Sequence, residues 1–82
     1  MTNSISIENG RLVVRTSKKV AYIGFARGEF RVRICNLVNE GDYVREHFIV
    51  LKEYTQAFRV VKLLNEFNVS VDKNAVKNLK TA

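Results

Sequence analysis

The sequence predicts an α+β fold: an antiparallel β-meander of about five strands covered by one amphipathic helix, followed by a short C-terminal helix. Three observations predict it. Apolar and polar residues alternate with a period of two through the first half of the chain, as in half-buried strands. Gly-containing turn sequences separate these runs, and a helical period begins near Glu53. We expect residues 1–82 to form a single domain, because 82 residues are too few for two hydrophobic cores.

The first predicted hairpin pairs Ser4–Glu8 with Arg11–Thr16 across Asn9-Gly10. Asn-Gly favours a two-residue type I′ turn, because both central positions of that turn need a positive φ. The resulting register sorts the side chains onto two faces. On the core side it pairs Ile7 with Leu12 and Ile5 with Val14. On the outer side it pairs Glu8 with Arg11 and Ser4 with Arg15.

The second predicted hairpin pairs Val20–Ala26 with Glu29–Val38 across Arg27-Gly28. The same two-residue construction gives three apolar pairs on the core side: Phe25 with Phe30, Ile23 with Val32, and Ala21 with Ile34. On the outer face it places Gly24 beside Arg31 and Tyr22 beside Arg33. The outer face is therefore expected to carry a basic row next to an aromatic ring and a patch of bare backbone.

A third hairpin is expected where Tyr43–Leu51 returns after the polar loop Asn39–Asp42. Its register stays open at this point. A four-residue loop places Phe48 beside Arg33 on the outer face, whereas a shift of one residue sends Phe48 to the core and Ile49 outward.

Two helices are predicted in the rest of the chain. The first helix spans Glu53 to about Asn68. The second helix spans Lys73–Lys80, and Asp72 is its predicted N-cap. The apolar stripe of the first helix contains Tyr54, Ala57, Phe58, Val60, Val61, Leu63, Leu64 and Phe67. The second helix presents Ala75, Val76 and Leu79.

Positive charge is concentrated in residues 9–33, which hold seven basic residues and one acidic residue, Glu29, in a chain of formal net charge +6. Guanidinium and ammonium groups on a sheet face favour a polyanion, and an aromatic ring can stack on a base. We therefore expect the chain to bind nucleic acid, DNA or RNA, with single strands or RNA favoured over duplex. The candidate residues are Arg11, Arg15, Lys18, Lys19, Tyr22, Arg27, Arg31 and Arg33, with Phe48 as a conditional second stacking ring.

Two alternatives remain open. Leu63–Lys80 can be drawn as a helix-turn-helix that reads duplex DNA, with the hairpin Val20–Val38 as a wing. Its candidate contact residues are Lys73, Asn74, Lys77, Asn78 and Lys80. The other alternative is an interaction or dimerisation module for an acidic partner. Ser4–Glu8 has few charges that would block edge pairing, so a homodimer is expected under several of these hypotheses.

Other functional classes are not favoured. His47 is the only histidine and no nucleophile or paired carboxylate is singled out for it, so we expect no enzyme, no cofactor and no small-molecule substrate. Cys35 has no companion for a disulfide or a metal cluster, and we expect a small, half-buried strand residue there. No apolar run approaches the ~18 residues of a membrane helix, and Met1–Ser6 lacks signal features. The expected location is cytoplasmic, nucleoid or nuclear, and not secreted. In layout alone, the predicted meander and helix resemble small whirly or Pur-type single-strand binders.

Overall fold

The computed structural model describes residues 4–81, which form a five-stranded antiparallel sheet and two short helices. The elements in chain order are β1 (Ser4–Glu8), β2 (Arg11–Arg15), β3 (Lys19–Ala26), β4 (Glu29–Glu40), β5 (Tyr43–Tyr54), α1 (Ala57–Glu66) and α2 (Lys73–Lys77), with a 3-10 turn at Asn78–Thr81. The α+β class is therefore confirmed. Residues 1–3 and 82 lie outside the described residues, and with them the ends of the predicted domain 1–82 and half of the segment Met1–Ser6.

The sheet is a meander in the order β1-β2-β3-β4-β5, and its first and third turns are those that the sequence predicts. Asn9 and Gly10 have φ of 54° and 77°, and Arg27 and Gly28 have φ of 55° and 79°. Two consecutive positive φ values are the requirement of a type I′ turn. Both predicted registers are confirmed. Ser4 lies opposite Arg15 in the first hairpin, and Ala26 lies opposite Glu29 in the second.

The last hairpin differs from the prediction. β4 continues through Asn39 and Glu40, which pair with Val44 and Tyr43, so the loop is only Gly41-Asp42 and not four residues. Gly41 has a φ of 64° and Asp42 does not have a positive φ, a pattern that matches a type II′ turn. The predicted four-residue loop is wrong because the polar residues Asn39 and Glu40 belong to β4 and not to the loop.

A β-bulge then sets the register of β5. Ile34 pairs with Val50 and Cys35 pairs with Phe48, so Ile49 is left without an opposite residue. Phe48 lies on the outer face, which agrees with one of the two predicted registers. Its partner is Cys35, however, and not the predicted Arg33. Its side chain is 60% exposed, whereas Ile49 packs against the core.

Most of the core lies on one side of the sheet, here called the inner face. One cluster joins side chains of the central strands with side chains from both helices and the segments that follow them. Its buried members are Leu12, Val14, Ala21, Ile23, Phe30, Val32, Ile34, Ala57, Val60, Leu63, Leu64, Val69, Val76 and Leu79. Burial of each Val, Leu, Ile or Phe contributes about 1.5–3 kcal/mol, so this cluster is the main source of stability.

The inner face is not buried at β1. Ile5 and Ile7 point to the core side as predicted, yet they are 48% and 64% exposed. These two side chains are exposed because β1 is the far edge of the sheet, whereas the helical segments contact mainly β3, β4 and β5. The expectation that this pair of isoleucines belongs to the core is wrong.

α1 is shorter than the predicted helix over Glu53–Asn68. Glu53 and Tyr54 still belong to β5 and pair with Arg31 and Phe30, and Gln56 keeps an extended backbone with φ −118°. At the other end Asn68 adopts a φ of 60°, and the Val69 N–H donates to the Leu64 carbonyl at 2.9 Å. Asn replaces the usual glycine in this left-handed position. Phe58 is 51% exposed, in contrast to its predicted place in the apolar stripe.

The N-cap of the second helix is confirmed. The backbone N–H of Asn74 donates to Oδ1 of Asp72 at 3.0 Å. α2 ends at Lys77 and gives way to the 3-10 turn, so the predicted helix over Lys73–Lys80 is only partly α-helical. Neither α1 nor α2 has the length and apolar character needed to cross a membrane.

Candidate nucleic-acid interface

The face of the sheet opposite the core, here called the outer face, carries the arginines that the sequence singles out. Strand pairing arranges its side chains in rows across β2, β3, β4 and β5. The first row is Arg11, Gly24, Arg31 and Glu53. The second row is Val13, Tyr22, Arg33 and Leu51. The third row is Arg15, Val20, Cys35 and Phe48.

Tyr22 lies at the centre of the basic part of this face. The guanidinium carbon of Arg11 is 5.0 Å from the centroid of its ring, and that of Arg33 is 5.9 Å away. Both distances lie within the range of cation–π attraction. We call Arg11, Tyr22, Arg31 and Arg33 the arginine–tyrosine cluster.

The hydroxyl group of Tyr22 is also held. It donates a hydrogen bond to Oε2 of Glu46 at 2.6 Å. Burial, together with this carboxylate, raises the pKa of Tyr22 from 10.0 to about 12, because both disfavour the phenolate. Tyr22 therefore stays protonated at neutral pH, with its ring orientation restrained at the edge and at the face.

The outer face also carries carboxylates, which residues outside the basic segment 9–33 supply. Arg15 donates to both carboxylate oxygens of Glu8, at 2.7 and 3.4 Å, and these hydrogen bonds, with one from Ser6, lower the pKa of Glu8. Arg31 lies 3.5 Å from Glu53. Both are exposed ion pairs, which contribute little to stability and exchange readily with another anion.

Arg11 and Arg33 differ from these two arginines. Within residues 4–81, neither has a carboxylate within 4.0 Å, and their contacts are with the ring of Tyr22. Both side chains are exposed. Both guanidinium groups therefore have hydrogen-bonding capacity to spare for a phosphate.

The remaining candidates do not join the cluster. Arg27 lies in the turn between β3 and β4, at the rim of the first row. Lys18 lies at the other end of β3, a strand of eight residues, which separates it from Arg27 by roughly 25 Å. Lys19 pairs with Asn36 and alternates with Val20, so it belongs to the inner face and not to the predicted basic face.

Part of the outer face is apolar and closed to solvent. Val13, Val20 and Cys35 are fully buried there, with Tyr22 and Leu37 packed against them. Cys35 was expected to be half-buried and is instead a buried free cysteine. Tyr22 therefore packs against a second, smaller apolar cluster on this face of the sheet.

Two adjoining depressions open on the outer face beside the arginine–tyrosine cluster. One, of about 620 Å³, lies between the turns at Gly10 and Arg27 and the first row. The other, of about 210 Å³, lies between the first and second rows and includes Tyr22, Arg33 and Leu51. Arg11, Gly24 and Arg31 line both.

The alternative duplex-binding residues lie on the helical side of the molecule. Lys73, Asn74, Lys77, Asn78 and Lys80 are all exposed. The three lysines line a depression of about 170 Å³ together with Phe58. Nζ of Lys80 is 5.4 Å from the centroid of the Phe30 ring. However, α2 has only five residues and its last two candidates belong to the 3-10 turn, so the long recognition helix of a helix-turn-helix is missing from residues 4–81.

The outer face also includes three residues of β5 that were not predicted from the sequence, namely Glu46, Leu51 and Glu53. The bulge assigns Leu51 and Glu53 to this face, and no local signal in the sequence indicates the bulge. Glu46 lies before the bulge, opposite Leu37, so the turn at Gly41-Asp42 sets its face. Elsewhere on β5, His47 and Arg45 both contact Glu40, at 2.9 and 3.1 Å. Over the described part of the chain, no three His, Cys, Asp or Glu side chains come together as metal ligands.

Comparisons with known protein families, with curated proteins and with solved structures find no match to this chain. Its function must therefore be inferred from the geometry and charge of the outer face.

Proposed function

We propose that this protein binds single-stranded nucleic acid, DNA or RNA, on the outer face of its sheet, without catalysing a reaction. The observation that carries the proposal is the arginine–tyrosine cluster. Arg11 and Arg33 lie against the ring of Tyr22, both exposed and both without a carboxylate partner in residues 4–81. Such forked donors bind phosphate through two hydrogen bonds, and a chain of phosphates engages several of them at once.

The structure changes the role expected of Tyr22. Because the guanidinium of Arg11 already lies 5.0 Å from its ring centroid, the ring is not a free platform for a base. Guanidinium planes themselves stack on bases. In the proposed mechanism Tyr22 supports Arg11 and Arg33, and these arginines contact the phosphates and bases.

The shape of the outer face supports a single strand as the ligand. The floor between Arg11 and Arg31 is backbone, and the depressions there are open to solvent. Unpaired bases can turn into such a surface, whereas the bases of a duplex are stacked inside it. We also propose that α1 covers the inner face, which leaves the outer face as the accessible side of the sheet.

A pair of matched double variants tests this proposal. Arg31→Glu with Arg33→Glu removes charge from the outer face, and Lys73→Glu with Lys77→Glu removes it from the helical side. Each substitution takes away two units of charge, so both double variants fall from +6 to +2 and lose the same long-range attraction. A labelled DNA strand, an RNA strand and a duplex are titrated with each protein at low and moderate salt.

We expect the outer-face variant to lose binding of single strands by about a hundredfold or more, since charge reversal replaces attraction with repulsion at two contacts. The helical-side variant should lose only a few-fold. For the wild type, about three neutralised phosphates give a slope of log affinity against log salt of roughly −2. Loss confined to the lysine variant, with duplex as the preferred ligand, would support the helix-turn-helix alternative. Negligible affinity for all three ligands would favour an acidic protein partner.

A further inference from the structure

Gly24 lies in the middle of β3, where the backbone does not require glycine. Its φ lies outside the left-handed region, unlike those of Gly10, Gly28 and Gly41. It pairs with Arg31 in regular register, with no bulge between β3 and β4. The conformational freedom of glycine is therefore not used at this position.

The internal packing does not require glycine either. A Cβ atom on Gly24 would lie 3.5 Å from Cγ of Arg11 and 3.8 Å from its Cδ, both ordinary van der Waals distances. Alanine would therefore fit without moving a neighbour. It would also favour the strand, because glycine is among the least stable residues in a strand interior. A glycine in a strand interior often marks a bulge, a tight bend, or the close approach of a ligand or another backbone. No bulge occurs between β3 and β4 here, which directs attention to a ligand.

We propose that Gly24 is the floor of a base-binding site. An unpaired base of the bound strand lies flat against the backbone of Gly24, with the guanidinium groups of Arg11 and Arg31 on either side. Both depressions of the outer face meet at these three residues, and Arg33 lines the smaller one, so a base at Gly24 would have a further guanidinium group nearby for its phosphate. This inference rests on the proposed function and makes the base, as well as the phosphate, a part of recognition.

Variants at Gly24 and a strand without bases test this site. The probes are an oligothymidylate of about 12 nucleotides and an abasic sugar–phosphate strand of the same length. The variants are Gly24→Ala and Gly24→Val, and the control is Asn39→Val. Asn39 is exposed on the same face of β4 but lies away from both depressions. Thermal unfolding is measured for every variant.

We expect the wild type to bind oligothymidylate about tenfold more tightly than the abasic strand, the effect of one or two stacked bases. Gly24→Val should remove this difference while keeping the affinity for the abasic strand. Gly24→Ala should weaken oligothymidylate binding and yet raise the unfolding midpoint by about 2 to 8 °C. Asn39→Val should change neither affinity.

The outcomes separate this inference from the proposed function. Equal binding of both strands by the wild type would overturn the base site and leave phosphate recognition intact. A preference for oligothymidylate that survives in Gly24→Val would overturn it as well. Binding of neither strand would instead contradict the proposed function.

Discussion

Tyr22 contacts three charged groups of the outer face. Its ring lies against Arg11 and Arg33, and its hydroxyl group donates to Glu46 on a strand two positions away in the sheet. Below it, Val13, Val20 and Cys35 form a small dry cluster. A flexible guanidinium loses less entropy on binding when a ring already restrains it. Tyr22 is therefore a positioning residue for the arginines.

The carboxylate of Glu46 contributes to the raised pKa of Tyr22. Glu46→Gln should lower it from about 12 and leave it above 10.0, because burial is the largest single cause of the shift and remains when the carboxylate is removed. The signal of the Tyr22 ring carbon that bears the hydroxyl, followed by NMR against pH, measures this. A pKa unchanged in Glu46→Gln would contradict the hydrogen bond at 2.6 Å.

The same shift affects stability at high pH. Because the pKa is higher in the folded state than in the unfolded state, the folded protein holds the proton of Tyr22 more tightly. The stabilisation is complete below pH 10 and is lost as the pH rises from about 10 to 12. Tyr22→Phe should flatten this part of the pH profile of the unfolding free energy.

At the scale of elements, Asp72 caps the N-terminus of α2. Asp72→Ala removes the acceptor of the Asn74 N–H and should cost about 1 kcal/mol of unfolding free energy. For a domain of this size the midpoint should fall by about 4 to 8 °C. Asp72→Asn keeps a capping side chain and serves as the control. An equal loss in both variants would show that the charge, and not the cap, is what matters.

Hairpins were predictable from sequence where a turn has one strongly preferred geometry. Asn9-Gly10 and Arg27-Gly28 determine their registers, and with them Tyr22 beside Arg33 and Gly24 beside Arg31. At Gly41-Asp42 the flanking Asn39 and Glu40 resemble loop residues, so the strand ends were not predicted. Local composition does not separate polar strand ends from polar loops.

The position of β5 could not be predicted, because it depends on a bulge. The extra residue, Ile49, changes which side chains face outward in the rest of the strand. Glu53 reaches Arg31 in consequence, so one of the predicted phosphate contacts has a carboxylate beside it. The start of α1 was misplaced for a related reason, since Glu53 and Tyr54 fit a helical stripe and a strand equally well.

On the scale of the whole molecule, positive charge lies on two sides of the sheet. The arginine–tyrosine cluster is on the outer face, and Lys73, Lys77 and Lys80 surround Phe58 on the helical side. Net charge alone attracts polyanions from a distance, but it does not decide where they bind. Arginines restrained by a ring beside open backbone favour the outer face over flexible lysines.

The two edges of the sheet differ in a way that bears on assembly. β1 carries one charged residue, Glu8, which pairs with Arg15 of the same hairpin, whereas β5 carries charged side chains along its length. Charged residues protect an edge from pairing with another chain. We expect two copies to pair through β1, which would align their outer faces and give the exposed Ile5 and Ile7 apolar neighbours.

Ile7→Lys tests this assembly. The added charge on an edge strand should convert a dimer to a monomer, with little effect on the fold because Ile7 is 64% exposed. Sedimentation equilibrium over a range of protein concentrations measures the change, and Ser6→Lys, on the other face of β1, reports whether charge at this edge acts from either side. A wild-type protein that stays monomeric at the highest concentrations would contradict pairing through β1.

The most direct test of nucleic-acid binding on the outer face observes the guanidinium groups themselves. The side-chain N–H signals of the arginines are followed by NMR while an unlabelled single strand is added. The signals of Arg11, Arg31 and Arg33 should shift together and saturate, whereas Arg59 on α1 and Arg45, which pairs with Glu40, should stay in place. Signals of the cluster that do not move, or a shift confined to Arg59, would contradict the account.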